Sequence, residues 1–320
     1  MLLSCGDALI DFLPVKSADG RDAIVPVVGG SCLNIAVGMA RLEVAAGFVG
    51  GISSDMFGRM IADHALASGV ELRYTARSAH QTTLAFVRSV GGEPQYAFYD
   101  QGTASRNWTY RAGSIPFGEI AAVHVGSTTL IDDGTAAQAL TMVNEARRST
   151  TISFDPNCRP DLVRDRAGYV ARMAEFAAAA DIMRMSDVDF DYLYGDDDHA
   201  GRAKSMIAAG ASLVVVTRGA SGVQAWHRAA GAVAAEAPKV NVVDTIGAGD
   251  SFQAALLYAL HALGRIERDA LNRTSAAELH RALSFASTCA AITCGRAGAD
   301  PPRRAELDAK VFEALLGRAG

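Results

Sequence analysis

The stretch Gly247-Ala248-Gly249-Asp250 is the part of the chain whose residue types are best suited to chemistry. The valine-rich run at 240–243 before it predicts a buried strand, and the apolar segment 252–263 after it predicts a helix. Backbone N–H groups in the first turn of a helix lack intrahelical partners, and the helix dipole favours negative charge there. We therefore expect an anion to bind where the strand turns into the helix.

Asp250 is an unusual neighbour for an anion site, because it carries a negative charge itself. It could simply cap the helix, which is a common role for aspartate. Alternatively, the N–H groups of this turn hold the charge that develops on a transferred phosphoryl group, while Asp250 takes the proton of the attacking hydroxyl. The pattern Gly-x-Gly-Asp alone leaves both interpretations open.

The composition excludes several classes of protein. With 30 Lys and Arg against 35 Asp and Glu, the 320-residue chain has a formal charge of −5 and no run of five or more basic residues, so nucleic acid is not expected as a partner. No lysine follows a glycine, so the Walker-A phosphate loop is absent. A nucleotide must therefore be bound in another way.

The cysteines and the apolar runs indicate a cytoplasmic protein. The 5 cysteines are scattered and lack the spacing of a zinc site or a disulfide framework, which predicts reduced thiols in the core. No apolar run is long enough to span a membrane, and Asp7 and Asp11 lie in the N-terminal apolar segment where a signal peptide has none. We expect a cytoplasmic location and no membrane partner.

From residue 121 onward, segments of strand and helix character alternate. Strands are expected at 122–126, 151–155, 181–186 and 213–217, with helices at 133–148, 165–180 and 200–209. This alternation predicts a doubly wound α/β fold, in which a mostly parallel central sheet carries helices on both faces. Ligands of such sheets gather at the carboxyl ends of the strands, where polar tracts fall at 155–159, 186–189, 217–219 and 244–250.

The N-terminal segment supplies two further candidates. Residues 1–13 predict a first buried strand that Asp7 and Asp11 interrupt, and a buried carboxylate needs a reason. Asp11 could accept hydrogen bonds from ligand hydroxyls or cap the next turn. Asn34 follows the double glycine Gly29-Gly30 in the first turns of a helix, where it could bind a ligand or satisfy the backbone.

Residues 82–99 break the alternation. The segments 82–90 and 95–99, joined through Gly91-Gly92, alternate Thr and aromatic residues in the manner of a β-hairpin. A hairpin does not fit inside a parallel sheet, so together with residues 12–28 it predicts a small separate sheet. That sheet could close over a site as a lid or be an insertion at the edge of the fold. On the lid hypothesis, residues 1–320 form a single domain whose lid comprises about 12–28 and 72–108.

The segment Asp244–Phe252 resembles the C-terminal signature of the ribokinase-like (PfkB) carbohydrate kinases, and Val27–Leu42 resembles their N-terminal signature. The polar strand ends match the family in order and spacing along nearly the whole chain. The resemblance implies a ribokinase-like fold and transfer of the γ-phosphoryl group of ATP to a sugar hydroxyl. It also implies ATP and Mg²⁺ as cofactors, K⁺ as an optional one, and a homodimer formed through the lid.

The same resemblance implies a role for each candidate residue. Asp250 is the expected base, and the N–H groups of Gly247, Ala248 and Gly249 form the expected anion hole. The expected sugar contacts are Asp11, Gly29, Gly30, Asn34, Phe98 and Arg159. The expected ATP contacts are Ser186, Thr217, Gly219, Gly222 and Gly249. For the ions, Asp189 is expected to reach Mg²⁺ through water, and Asp244 and Ile246 are expected to hold a monovalent cation.

Some positions depart from the family pattern. Asp7 stands where the family often has Glu, and Ile246 stands where it has Thr. Asp189 replaces the Glu of an Asn-x-x-Glu element that begins here with Ser186. These departures leave room for a hypothesis of another class, a catalytically weak sugar-binding regulator. The intact Asp250 and the glycines of the expected anion hole favour an enzyme.

The tracts 8–14, 82–87, 97–99 and 152–157 look most like bacterial fructokinases, so D-fructose is the expected substrate. The close alternative is 2-keto-3-deoxygluconate kinase, but Asp100 should repel the carboxylate of that substrate. Arg88 and Arg106 lie nearby in the sequence and act against that repulsion. Ribokinase fits less well because Ser31 stands where its signature continues with Lys, and a nucleoside kinase is a further alternative.

Overall fold

A computed structural model describes residues 1–90, 93–195 and 198–318, with the backbone alone described at 88–90 and 93–96. The strands are, in chain order, β1 Leu2–Cys5, β2 Leu9–Lys16, β3 Asp22–Gly29, β4 Ala46–Val49, β5 Gly51–Ser53, β6 Ala76–Ser78, β7 Leu84–Val90, β8 Glu93–Tyr99, β9 Ala122–Gly126, β10 Thr151–Asp155, β11 Ile182–Ser186, β12 Leu213–Thr217, β13 Val223–His227 and β14 Gly231–Ala235. The α-helices are α1 Ser31–Arg41, α2 Met56–Ala67, α3 Asp133–Ala146, α4 Arg166–Ala179, α5 Asp187–Tyr194, α6 His199–Ala209, α7 Ala248–Ala262, α8 Arg268–Leu271, α9 Ala276–Cys294 and α10 Ala309–Leu316.

The larger sheet, called here the main sheet, has the strand order β14-β13-β12-β11-β10-β9-β1-β4. Its strands from β12 to β4 pair in parallel, and β13 and β14 extend it as an antiparallel ribbon. Parallel strands are buried on both faces, which explains the continuous apolar run Leu213–Val216 in β12. The prediction of a mostly parallel sheet is therefore confirmed.

Helices cover both faces of the main sheet. On one face, α3, α4, α5 and α6 bury residues such as Met142 and Phe176 against the strands. On the other face, α1, α7, α9 and α10 do so through residues such as Leu256 and Leu283. The doubly wound α/β arrangement follows from these two cores. No helix in the described part of the chain is long and apolar enough to cross a membrane.

A second sheet, called here the small sheet, has the strand order β3-β2-β7-β8. Strands β7 and β8 are antiparallel, so the predicted hairpin strands are confirmed, while the turn at Gly91-Gly92 lies outside the described residues. Phe12 stacks on Phe86 with 4.5 Å between ring centroids, and Phe57 of α2 meets Phe12 edge-on at 5.6 Å. These rings join the small sheet to α2.

The prediction of one strand over residues 1–13 is wrong. The chain forms β1 and β2, which belong to different sheets, and it turns between them at Gly6. Gly6 has a φ of +157°, and a Cβ at this position would lie 2.3 Å from Cys32 Sγ. The break therefore depends on a close approach of the backbone to α1, which periodicity does not reveal.

The prediction of a buried strand at 240–243 is also wrong. The segment forms no strand, with 58% of Val242 and 60% of Val243 exposed. The Val243 and Asp244 N–H groups donate to the single carbonyl of Cys294 at the end of α9. The β-branched residues indicate strand propensity correctly, but this segment has no neighbouring strand to pair with.

Candidate active site

Helix α7 begins at the predicted turn. Gly247 precedes it with a φ of +74°, and a Cβ there would lie 2.5 Å from the Ala299 Cβ, so the position requires glycine. The Ala248 N–H donates to the Thr245 carbonyl (3.2 Å), whereas the N–H groups of Gly247 and Gly249 find no acceptor among the described residues. Of the three residues of the expected anion hole, two therefore keep an open N–H at the helix N-terminus.

Asp250 lies in the first turn of α7 and accepts two hydrogen bonds from α1. Ser31 Oγ donates to Asp250 Oδ1 (2.6 Å), and Asn34 Nδ2 donates to Asp250 Oδ2 (2.9 Å). The two helices come this close because Gly38 faces Ala254, whose Cβ would lie 2.7 Å from a Cβ at position 38. Helix α7 has no side-chain cap, so Asp250 is not the capping residue considered above.

Burial dominates the electrostatics of Asp250. It raises the pKa of the carboxyl group, while the hydrogen bonds from Ser31 and Asn34 lower it by less. Each carboxylate oxygen has more than one acceptor direction, so a third donor can still reach Asp250. The group can therefore accept a proton from a bound hydroxyl.

Asp11 lies on β2 and faces the same region as Asp250. In the small sheet, Asp11 is paired with Ala85, and Ala85 with Phe98, so these three residues form one row on one face. A Cβ at Gly29 would lie 2.1 Å from Asp11 Oδ2, so a side chain there would displace the Asp11 carboxylate from its present position. Burial, and then the nearby charges of Asp7 and Asp250, raise the pKa of Asp11 to about 7.

Asp7 and Gly30 fix the positions of the elements around this site. The buried Asp7 carboxylate accepts from the Cys32 N–H (3.0 Å), Ser127 Oγ (2.8 Å) and Thr128 Oγ1 (3.1 Å), which joins β1, α1 and the turn after β9. Gly30 has a φ of +104°, and a Cβ there would lie 2.6 Å from the Asp7 carbonyl oxygen. Asp7, which stands where the family often has Glu, is therefore a fully hydrogen-bonded carboxylate with a structural role.

Arg159 lies in the loop after β10, and Asp189 lies in the first turn of α5, which follows β11 directly. The Arg159 Nη1 donates to Asn157 Oδ1 (2.5 Å), and its charge lowers the pKa values of Asp11, Asp189 and Asp250. Asp189 Oδ1 accepts from the Cys158 N–H (3.0 Å), so it joins α5 to the loop after β10. Burial is the main cause that raises the pKa of Asp189.

Ser186 caps α5 instead of facing the site freely. Its Oγ accepts from the Asp189 N–H (3.0 Å) and donates to Asp189 Oδ2 (2.8 Å). The hydroxyl proton of Ser186 is thereby used within the protein. Ser186 nevertheless lies beside Thr217, its register partner on β12.

The remaining expected ATP contacts lie in the loop after β12. Thr217 ends the strand, and the turn at 219–221 closes with the Arg218 N–H donating to the Gly222 carbonyl (2.8 Å). Gly222 has a φ of +83°, and a Cβ there would lie 2.4 Å from the Ala235 carbonyl oxygen. A groove of about 540 Å³ runs beside this loop, lined by Arg218, Ser221, Val223, Ala234, Ala235, Glu236, His280 and Ser284.

Two functional candidates, Ser31 and Arg184, were not assigned a role from the sequence. Ser31 stands where the ribokinase signature has lysine, and its bond to Asp250 joins positions 219 residues apart. Arg184 lies in β11, where it pairs with the buried Asp155 and contacts Thr217. The sequence does contain a sign that Arg184 matters, because an arginine inside an apolar strand needs a partner.

The expected cation positions form a separate cluster. Asp244 Oδ1 accepts from the Ile246 N–H (3.0 Å) and Oδ2 accepts from the Gly298 N–H (2.9 Å). The main-chain carbonyls of Asp244 and Ile246 accept no backbone hydrogen bond among the described residues, which leaves oxygens suited to a monovalent cation. The described residues contain no group of three His, Cys, Asp or Glu that could hold a metal.

The comparisons with known proteins agree with this geometry. Residues 1–305 match the family described as pfkB family carbohydrate kinase. The chain is 36% identical over 260 residues to the fructokinase of Rhizobium leguminosarum bv. trifolii, which covers 81% of this chain and 79% of that protein. It is 31% identical over 316 residues to the fructokinase of Escherichia coli, covering 95% and 97% of the two chains.

Among solved structures, the fructokinase of Xylella fastidiosa with bound ATP superimposes with a TM-score of 0.84. The two sequences are 27% identical, and the match covers 99% of this chain and 98% of the other. Family, relatives and fold thus agree over nearly the whole length. The chain belongs to the pfkB family of carbohydrate kinases and is a sugar kinase.

Proposed function

We propose that this kinase is an ATP-dependent fructokinase that transfers the γ-phosphoryl group to a hydroxyl of D-fructose. The observation that carries the proposal is Asp250, which Ser31 and Asn34 orient beside the open N–H groups of Gly247 and Gly249. The relatives described above, named fructokinases at 31% and 36% identity, favour fructose among the sugars.

The proposed reaction is a direct transfer. The sugar hydroxyl gives its proton to Asp250 while its oxygen attacks the γ-phosphorus, and the bond from that phosphorus to ADP breaks. The open N–H groups of Gly247 and Gly249 stabilise the charge on the phosphoryl oxygens. Asp11 and the Asn34 side-chain carbonyl accept hydrogen bonds from other sugar hydroxyls, with Phe98 on the same face as Asp11.

The proposal places ATP along the loop after β12. Arg218 and Ser221, which stand on either side of Gly219 in this loop, line the groove of about 540 Å³, and the groove gives the nucleotide a place beside the loop. Mg²⁺ would be held mainly by phosphates and water, with Asp189 acting through water, and it supplies neutralising charge when bound. The carbonyls of Asp244 and Ile246 would hold K⁺.

The side chain of Asp100 supports a neutral substrate for a reason that differs from simple repulsion. Asp100 Oδ2 accepts from Arg106 Nε (3.0 Å) and Nη2 (2.6 Å), and Arg106 also donates to the Thr128 carbonyl. Asp100 is therefore neutralised, and Arg106 is engaged instead of being free for a substrate carboxylate. The side chain of Arg88 lies outside the described residues.

The small sheet serves as the lid and as a dimer surface in this proposal. It carries Asp11 and Phe98 on the row that faces the sugar, which is the position a lid requires. It also exposes apolar side chains, with 57% of Ile24 and 42% of Val25 accessible, that a second copy would cover. We place the enzyme in the cytoplasm on the basis of its reduced cysteines.

One observation favours 2-keto-3-deoxygluconate as a second candidate. Arg159 is near enough to Asp11 to lower its pKa, so a cation stands close to the proposed sugar site. A carboxylate on the substrate would pair with such a cation.

A substrate panel tests the proposal. Release of ADP from ATP–Mg²⁺ is measured with fructose, 2-keto-3-deoxygluconate, ribose and adenosine, each with and without K⁺. The expected result is the highest kcat/KM with fructose. A higher kcat/KM with 2-keto-3-deoxygluconate would replace fructose as the proposed substrate and would make Arg159 the partner of the substrate carboxylate. Sugar binding without ADP release would favour the regulator hypothesis.

A further inference from the structure

A buried arginine lies in the middle of the main sheet without a role in the reaction described so far. Arg184 is on the central strand β11, and 7% of its surface is exposed. Burying a guanidinium costs free energy unless it is paired. Its Nη1 donates to the buried Asp155 (2.7 Å), whereas its Nε has no partner among the described residues. The ion pair explains how the charge is tolerated but not what it does.

The Arg184 guanidinium lies directly beneath the first turn of α7. A Cβ built on Gly249 would lie 2.9 Å from Arg184 Nη1 and 3.1 Å from Nη2, so the group rests against this glycine. It also lies over the ring of Phe252, 5.6 Å from the centroid. A fixed positive charge therefore stands behind the open N–H group of Gly249.

The bond from Arg184 to Thr217 fixes the direction of a hydroxyl. Arg184 Nη2 is 2.6 Å from Thr217 Oγ1, and a guanidinium only donates, so the Thr217 oxygen must accept. The hydroxyl proton of Thr217 then points away from Arg184, and no acceptor in the described part of the chain binds it. A donor of this kind suits an anion at the carboxyl end of β12.

We propose that Arg184 is a positioning residue for the phosphate groups of ATP. It turns the Thr217 hydroxyl into a donor aimed at the phosphates and holds a positive charge behind Gly249, while Asp155 keeps the guanidinium in place. This inference rests on the proposed function for the nucleotide alone and does not depend on which sugar is used.

Binding of ATP and of AMP without sugar tests the inference, because only ATP carries the outer phosphates. In R184K, the lysine keeps the charge but loses the planar fork that reaches both partners. We expect calorimetry to show ATP affinity reduced about 10- to 100-fold, the range of a hydrogen bond to a charged group, with AMP affinity changed less than about threefold. T217V should give the same pattern without touching the ion pair.

The double variant R184K/T217V tests whether the two residues act together. If Arg184 works through the Thr217 hydroxyl, the loss in the double variant is smaller than the product of the two single losses. If the losses of ATP affinity in the two single variants multiply in the double variant, the two side chains act independently and Arg184 does not work through Thr217.

The matched control is an Arg–Asp pair at the opposite end of the same strand. Arg268 donates to both oxygens of Asp181, through Nε (2.7 Å) and Nη2 (3.1 Å), just before β11 begins. R268K should lower the Tm without changing the ratio of ATP to AMP affinity.

Equal losses for ATP and AMP in R184K, or the same ratio change in R268K, would reduce Arg184 to a structural role and overturn the inference. A wild-type protein that does not bind ATP would also overturn it. Wild type that binds ATP with this pattern but does not phosphorylate fructose would contradict the fructokinase proposal and leave the inference intact.

Discussion

At the residue scale, the Ser31 hydroxyl is the contact that most directly adjusts the candidate base. Its hydrogen bond favours the ionised form of Asp250 and so lowers the pKa that burial raises. In S31A, the pKa of Asp250 should rise further. Because the base must be deprotonated, the acid limb of kcat/KM against pH should move to higher pH by about one unit, the equivalent of one hydrogen bond.

The control for this prediction is S31T, which keeps a hydroxyl at the same position and should restore the wild-type profile. An acid limb that does not move in S31A would show that Asp250 is not the group that titrates in the reaction.

Asp11 gives a prediction about stability as a function of pH. Its pKa of about 7 in the folded protein lies above the ordinary value of 3.8, so the folded state binds this proton more tightly than the unfolded chain. The wild type therefore loses stability as pH rises from about 4 to about 7. Asn cannot ionise, so the Tm of D11N relative to wild type should be higher at pH 8 than at pH 5, by about 2 to 4 °C.

The exposed Asp161 provides the matched substitution, since D161N removes a carboxylate from the surface. It should show no such pH-dependent gain. If D11N and D161N behave alike at both pH values, Asp11 does not carry a raised pKa.

The sequence allowed Asp250, Asp11 and Asn34 to be chosen, because polar groups within apolar segments need a reason. It did not predict that Asn34 donates to Asp250. That contact depends on the close packing of Gly38 on Ala254, and such helix pairing is a property of the folded chain. Patterns along a chain report which residues are buried, and not which residues they meet.

At the element scale, the start of α7 contains two glycines that are needed for different reasons. Gly247 needs its positive φ and the space beside Ala299, so G247A should lower the Tm. A Cβ at Gly249 meets the end of the Arg184 side chain, which would have to shift slightly from its place between Asp155 and Thr217. We expect G249A to fold with a Tm near wild type and to lose about tenfold or more in ATP affinity, because Arg184 is displaced.

Thermal unfolding and calorimetry on the two variants separate these effects. A G249A protein with normal ATP affinity would show that Arg184 does not matter at this turn. Equal losses of Tm in both variants would give Gly249 a purely structural role.

The order of the elements from β9 to β12 followed from periodicity with the exception of α5, which replaces the polar loop expected after β11. The segment 240–243 shows the limit of that reasoning. Valines report a preference for extended backbone, but a strand also needs a neighbour, and the chain at this point lies beside the end of a helix.

At the scale of the whole molecule, the site joins two sheets through one helix pair. The small sheet contributes Asp11 and Phe98, and the main sheet contributes Arg184 from the middle of β11 and Thr217 from the end of β12. Asp250 lies on α7 where this helix packs against α1. A sugar held by the small sheet would thus meet a nucleotide held by the main sheet at one carboxylate.

The most direct test of this account is the comparison of D250N with wild type, measuring kcat by ADP release with fructose and ATP, and fructose affinity by calorimetry. Asn keeps the shape and can still bond Ser31 but does not accept the proton. The account predicts a kcat lower by about 100- to 10,000-fold, the usual contribution of a general base, with fructose affinity within about threefold of wild type. A D250N enzyme that turns over at a rate close to wild type would contradict it.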